Sequence, residues 1–319
     1  MPASSGRPRS RARRAVADTP GLVVIANPAA GHGRAGRLIG KVTSSLHRLR
    51  LPHEIRVSES GPDVERLARA AAEAGATIVA ALGGDGTVSL AANGILGTDA
   101  ALAALPAGTG DDFAKGIGAG KLETAVELLA TPKIEHLDVI EVTTGAVKRT
   151  FVNIAGAGFD SEVNETANGM TVKLGATGTY VVALLKTLSR FTPASFTIQV
   201  DDERMELDAM LVEVGSGRWT GGGMKVLPNA VMNDGLLDVC VVESLSKPAF
   251  LRAFPRVFIG SHTSHPKVRM RSGTRVQVEA NRRVLVYADG ELVGALPAIF
   301  EVRPAALPVV VGPDAKGVR

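Results

Sequence analysis

Between residues 21 and 130 short apolar runs alternate with amphipathic segments, and this order constrains the fold more than any other feature of the chain. Residues 22–26, 53–57, 77–82 and 101–105 read as strands. Residues 37–49, 62–74, 87–96 and 122–129 have helical spacing. Pro62 and Asp63 open the second helical stretch, and Gly75 stands just past its end, as helix start and stop signals do. Strands that alternate with helices form a parallel sheet covered on both faces. Ligands of such sheets sit beyond the carboxyl ends of the strands.

The texture changes near residue 137. Residues 138–143, 148–155, 195–200, 205–214, 237–242, 275–279 and 283–288 read as strands joined by polar or glycine-rich turns. Two helical stretches interrupt them, at 170–189 and 247–259. The expected organisation is a basic tail over 1–20, a Rossmann-like parallel α/β domain over 21–136, and an antiparallel β-sandwich over 137–296.

Composition narrows the function. The chain has 319 residues, net charge +4 and one cysteine, Cys240, so it has no internal disulfide framework. Arg7, Arg9, Arg11, Arg13 and Arg14 all fall in the tail. Without these five, 31 basic residues face 32 acidic ones, so the body is nearly neutral. Such a tail is expected to be disordered, and its charge suits an anionic membrane surface better than nucleic acid. Aromatic residues make up only 4%, too few for a base-stacking platform. No apolar run approaches the ~18 residues of a membrane span, and no apolar core follows the arginines as in a secretory leader. The expected location is cytoplasmic, with peripheral contact at the inner face of the cell membrane.

Glycine is the informative excess, at 36 residues. Three glycine-rich loops follow the first, third and fourth predicted strands, at one edge of the parallel sheet. The first, residues 27–36, contains a G-x-G-x-x-G match at Gly31, Gly33 and Gly36, with Glu59 further on. Four residues separate the strand from Gly31, and Pro28 cannot donate an N–H, so the match argues poorly for a dehydrogenase turn. A Walker A loop is absent. The second loop is Gly83-Gly84-Asp85-Gly86-Thr87, running into a helix. Its glycines let backbone N–H groups approach phosphate, and the helix presents its positive end. Asp85 would repel phosphate unless a cation lies between them, which is the chemistry of a Mg-nucleotide site. The plainer alternative is a tight turn with Asp85 as the helix N-cap. The third loop, residues 105–114, repeats the logic with Thr109, Asp111 and Asp112.

Together these segments resemble the catalytic domain of the diacylglycerol kinase family. The resemblance runs in order from Asn27-Pro28 with Gly31, through Gly83–Gly86 with Thr87 and Asn93-Gly94, to Pro106 through Phe113. It continues at residues 156–160, 233–238 and Asp289-Gly290-Glu291. It implies an α/β nucleotide-binding domain and a β-sandwich with the active site in the cleft between them. It also implies that residues after about 297 return to the first domain. ATP would lie over the loops, near Asn27, Ser58, Gly83, Gly84, Asp85, Gly86, Thr87 and Thr109. Asp85 and Asp112 would organise Mg²⁺ through water, Asp289 would be the catalytic base, and Glu291 would support it. A structural Mg²⁺ would rest on the Asp234 side chain and the carbonyls of Val231 and Leu236. One departure stands out: Asp111 occupies a position where the family usually has Asn, and an ionised carboxylate cannot donate.

The sequence alone leaves alternatives open. Asp289-Gly290 is also a common hairpin turn. Tyr180, Val181, Leu184, Leu185 and Leu188, and Phe250, Phe254 and Phe258, are helical stripes that suit a core or an acyl-chain groove, with Lys173, Lys186 and Arg190 placed for lipid headgroups. Trp219 beside Gly221–Gly223 marks a mobile loop at the cleft. The expected activity is transfer of the ATP γ-phosphate to the hydroxyl of a membrane lipid, foremost diacylglycerol. Sphingosine, ceramide, a soluble acceptor as in NAD kinases, or binding without catalysis are the alternatives, and a homodimer is left open.

Overall fold

The computed structural model describes residues 21–170 and 175–319, and the side chains among them except at 168 and 175–181. The basic tail, Lys173, and the Tyr180 and Val181 side chains of the helical stripe lie outside the described residues.

The first lobe begins with β1 (Leu22–Ala26), α1 (Ala30–Arg48), β2 (His53–Val57) and α2 (Gly61–Glu73). It continues through β3 (Ile78–Gly83), α3 (Asp85–Ile95), β4 (Ala101–Pro106), α4 (Asp112–Gly116) and α5 (Leu122–Leu128). The strands are parallel in the order β2-β1-β3-β4. Every residue of β1, β3 and β4 is buried, as expected of strands covered on both faces. Their Val, Leu and Ile side chains pack with Val42, Leu46, Val64 and Val88 from the helices into one core. The first helix differs from expectation. It begins at Ala30, but Gly31, His32 and Gly33 are left-handed, with φ of 59°, 55° and 82°. A Cβ on Gly31 would lie 2.2 Å from the Ala107 carbonyl, so the first and third loops touch backbone to backbone.

The second lobe contains β5 (Lys133–Thr144), β6 (Val147–Phe151), β7 (Ile154–Gly158), α6 (Phe159–Asn168) and α7 (Gly175–Arg190). Then come β8 (Ala194–Val200), β9 (Glu203–Gly215), β10 (Leu237–Glu243) and α8 (Lys247–Ala253). A 3-10 turn, Phe254–Ile259, follows α8, and the chain ends in β11 (Val268–Gly273), β12 (Arg275–Ala280), β13 (Leu285–Ala288), β14 (Glu291–Ala295) and β15 (Ala298–Val311). The pairings within it are antiparallel, around a core that includes Ile140, Phe151, Phe196, Val212, Val214 and Phe300. The fold is therefore a parallel α/β lobe followed by an antiparallel β-sandwich.

Several boundaries depart from the sequence reading. The strand expected over 148–155 is two strands, broken at Val152 and Asn153. The helix expected over 170–189 is preceded by a separate helix, α6. The 247–259 helix tightens to 3-10 geometry at Phe254, beside Pro255, which has no N–H to donate. β15 links the lobes. Its first half pairs with β12 and the end of β5, while Leu307–Val311 pair with the start of β5 and Val309 lies parallel to Leu102 of β4.

Candidate active site

The loops after β3 and β4 meet through glycine. A Cβ on Gly108 would lie 2.5 Å from the Gly84 Cα, so the second of these loops admits no side chain at Gly108. Gly84 caps α3 with extended backbone, and Asp85 stands in the first turn rather than at the cap. Its carboxyl reaches across to accept the Phe113 N–H of α4 at 2.9 Å. Burial, reinforced by Asp112 and Asp111, pushes the Asp85 carboxyl up to about 6. Asn27 donates from its amide to the Thr87 hydroxyl at 3.1 Å, tying the end of β1 to α3. Ser58 is buried, and its hydroxyl donates to the Ala26 carbonyl at 3.2 Å. It supports the end of β1 and does not line the cleft. Thr109 is exposed at the cleft.

Asp112 is buried, with Lys115 Nζ at 3.0 Å on one oxygen and the Gly222 N–H at 2.7 Å on the other. That second bond fastens the Gly221–Gly223 loop of the sandwich to the α/β lobe. The loop borders the cleft as expected, and the Trp219 carbonyl beside it accepts from the Asn153 amide at 2.9 Å. Asp111 has a left-handed backbone, φ 55°, which both Asn and Asp tolerate. Its carboxyl accepts the Gly108 N–H at 2.8 Å. Burial raises its pKa, partly offset by Arg34 and Lys115. The position needs an acceptor, which a carboxylate supplies as well as an amide oxygen does.

Asp289 and Gly290 form the two-residue turn between β13 and β14, both with positive φ, 49° and 85°. The hairpin turn expected from Asp289-Gly290 is present, and it carries Asp289 into the gap between β6 and β7. Its carboxyl accepts the N–H groups of Val152, Asn153 and Ile154 at 3.0, 3.2 and 3.3 Å. Burial raises its pKa against these bonds and one from the Ser89 hydroxyl of α3. Glu291 follows the turn, with Oε1 3.5 Å from where a Gly86 Cβ would stand. The hairpin tip thus overhangs the phosphate-type loop. Ser89, Asn153 and Lys115 were not singled out in the sequence. Asn93, quoted only within a motif, donates to the Ser89 and Thr150 carbonyls at 2.9 and 3.0 Å.

Between the lobes lies a cavity of about 550 Å³. Asp85, Thr109, Asp112 and Asp289 line one end, and Leu184, Leu185, Leu251, Phe254 and Phe258 the other. A narrower apolar pocket, walled by residues such as Phe159, Leu211, Val242 and Phe250, adjoins it. Asp160, Glu213, Thr220, Met224 and Phe254 line both. The phenylalanine stripe grades outward. Phe250 is buried against Phe159, with ring centroids 4.9 Å apart, while Phe258 is half exposed at the rim.

Among the described residues no group of three or more His, Cys, Asp or Glu has metal-holding geometry. Asp85 and Asp112 nevertheless converge, their Oδ2 atoms 3.0 and 3.2 Å from the place of a Gly110 Cβ. Two cavity-facing carboxylates with a shortfall of positive charge suit a hard cation completed by water and phosphate oxygens. In the 231–236 turn, Asp234 accepts the Leu236 N–H at 3.2 Å. Val231 is buried beneath it. After burial, repulsion from Asp234 contributes to raising the carboxyls of Asp138 and Asp238.

Known proteins bear on this arrangement. A diacylglycerol kinase catalytic domain model matches residues 21–142, and a YegS C-terminal NAD kinase beta sandwich-like domain model matches residues 153–311. A Mycobacterium tuberculosis (strain ATCC 25618 / H37Rv) protein named diacylglycerol kinase is 35% identical over 294 residues, covering 91% of this chain and 94% of its own. A Pseudomonas putida protein named "Probable lipid kinase YegS-like" is 30% identical over 256 residues, covering 80% and 83%. The crystal structure of a diacylglycerol kinase from Bacillus anthracis str. Sterne shares the fold, with TM-score 0.70 and 22% identity over 92% of this chain and 97% of that one. Both lobes match consecutive family models and one relative aligns along almost the whole chain, so this chain belongs to the diacylglycerol kinase family of lipid kinases.

Proposed function

We propose that the protein transfers the γ-phosphate of ATP to the free hydroxyl of diacylglycerol, giving phosphatidic acid and ADP. The observation that carries this reading is the cavity. One end gathers Asp289 with Asp85 of the second glycine loop and Thr109, Gly110 and Asp112 of the third, and the other is apolar enough for acyl chains. The polar end takes a triphosphate, whose negative charge meets the backbone N–H groups at the start of α3. Thr109 adds a hydroxyl at the cleft, while Thr87, buried and held by Asn27, steadies the start of α3. Asp85 and Asp112 would hold Mg²⁺ through water, and the ion would neutralise phosphate charge. Ser58 acts indirectly, through the end of β1. The Asp234 turn, with the Val231 and Leu236 carbonyls, would hold a second, structural Mg²⁺ that orders the sandwich.

Asp289 accepts the acceptor's hydroxyl proton as the new O–P bond forms and the bond from Pγ to the β-phosphate bridging oxygen breaks. Phosphoryl transfer depends chiefly on positioning and charge neutralisation, so a well-placed carboxylate suffices as base. Three backbone N–H groups fix its orientation, and Glu291 screens the adjoining loop. The apolar wall favours a lipid acceptor over a soluble one.

The lipid is reached at a bilayer surface. No helix among the described residues is long and apolar enough to cross a membrane. Leu185, Leu251, Phe258 and Ile259 are exposed around the cavity mouth, with Lys186 and Arg252 exposed beside them. Apolar tips ringed by basic residues suit shallow contact with an anionic bilayer. ATP and a panel of lipids in mixed micelles, read by mass spectrometry, test the reading. Phosphatidic acid is the expected product, and phosphorylation of NAD without detergent would replace this reading with a soluble one.

A further inference from the structure

Glu213 is a carboxyl in the wrong surroundings for a structural residue. It lies in β9 between Val212 and Val214, which face the sandwich core, so its own side chain points to the opposite face. There it lines both the cleft and the adjoining apolar pocket while only 3% exposed. Its partner across one side of the sheet is Gly156, and across the other is Cys240, which is buried. A Cβ on Gly156 would stand 2.8 Å from both Glu213 oxygens and 3.0 Å from Asp160 Oδ2. The absent side chain is what makes room for the carboxyl. Among the described residues no cation pairs with Glu213 and no group hydrogen-bonds its carboxyl. Burial, and then Asp160, push its pKa well above the usual carboxylate range. Both favour the protonated form, which has an O–H to donate. Its carboxyl borders the cleft, where a bound ligand can supply the missing partner.

We propose that Glu213 is a specificity-determining residue that donates a hydrogen bond to an acyl-ester carbonyl of the acceptor, at the junction between the polar cleft and the apolar pocket. The inference rests on the lipid-kinase reading above and extends it to a named group of the substrate. An ester carbonyl is the acceptor that lies between a glycerol hydroxyl and a hydrocarbon chain. With that carbonyl held, the chain enters the apolar pocket and the hydroxyl is directed toward Asp289. An ammonium headgroup would instead require the ionised carboxylate, which this burial disfavours.

The test compares a 1,2-diacylglycerol, the 1,2-dialkylglycerol ether of equal chain length, and sphingosine, each in mixed micelles with ATP. The full-length wild type, E213Q, E213L and G156A are assayed, with thermal melting and ATP affinity as checks on folding. The wild type should favour ester over ether by about tenfold in kcat/KM, carried mainly by KM, the scale of one buried hydrogen bond. E213L and G156A should abolish that preference by losing ester activity alone. E213Q, whose amide still donates, should keep most of it. The ester-to-ether ratio of the wild type requires no variant and stands if E213L fails to fold. Equal use of ester and ether by the wild type, or an unchanged ratio in E213L, overturns the role of Glu213 alone. Preference for sphingosine that E213Q loses overturns it in favour of amine recognition. A wild type that phosphorylates no glycerolipid overturns the functional reading and this inference with it.

Discussion

Asp85 is placed to couple folding stability to nucleotide binding. Its pKa in the folded chain is about 6, against 3.8 for the unperturbed group, with burial the leading cause. A carboxyl raised in the folded state contributes stability below pH 3.8, and that contribution is lost as pH rises through about 6. The nucleotide-free D85N protein should therefore be more stable than wild type at pH 7.5, by about 1–2 kcal/mol after solvent screening, and no more stable at pH 4. Thermal melts at the two pH values measure this. The cost falls on binding. Mg-ATP affinity of the wild type should weaken as pH falls below about 6, and D85N should lose both affinity and that pH dependence, as titration calorimetry would record. Ser89 makes a separate prediction. Its hydroxyl donates to Asp289 and lowers the pKa of that carboxyl. S89A removes the donor, so the acid limb of kcat/KM should move to higher pH, with activity at pH 8 reduced no more than about tenfold.

At the scale of elements, the site is built where regular structure stops. The β6–β7 break at Val152 and Asn153 frees N–H groups that the Asp289 carboxyl then accepts. The strand reading over 148–155 passed through this break because Val152 and Ile154 are as apolar as their neighbours. Local signals served better elsewhere. The buried strands β1, β3 and β4 were legible as unbroken apolar runs, and the glycine loops stood out because each follows a strand directly. The Asp289-Gly290 turn was legible as a turn, while its reach to Ser89, 200 residues earlier, depends on how the sandwich docks on α3. Glu213 was invisible for a related reason. In sequence it is one polar residue in a strand, and only the folded sheet shows it buried beside Gly156 at the edge of the cleft. The loop contact also carries a prediction. A methyl group on Gly108 would collide with the Gly84 Cα, so G108A should raise the KM for ATP at least about tenfold. A smaller change would mean that the two loops separate freely.

At the scale of the molecule, β15 holds the lobes in register by pairing with strands of both. The cavity between them can then offer a charged end and an apolar end to one substrate. Its mouth is rimmed by exposed apolar residues, which gives a prediction about bilayers. Ile259 is 75% exposed and Val182 is 38% exposed, and neither lines the cavity. V182D/I259D should lower binding to anionic vesicles and slow phosphorylation of vesicle-embedded diacylglycerol at least about fivefold, while a short-chain acceptor in solution reacts within about twofold of wild type. Co-sedimentation with vesicles and the two assays separate membrane contact from chemistry. We propose that Asp289, carried by the sandwich into the α/β lobe, activates a lipid hydroxyl for attack on ATP. Single-turnover transfer of labelled γ-phosphate to diacylglycerol, in wild type and D289N, tests it most directly. Labelled phosphatidic acid is expected from the wild type, with a loss of at least about a hundredfold in D289N and ATP binding intact. Transfer by D289N at the wild-type rate would contradict it.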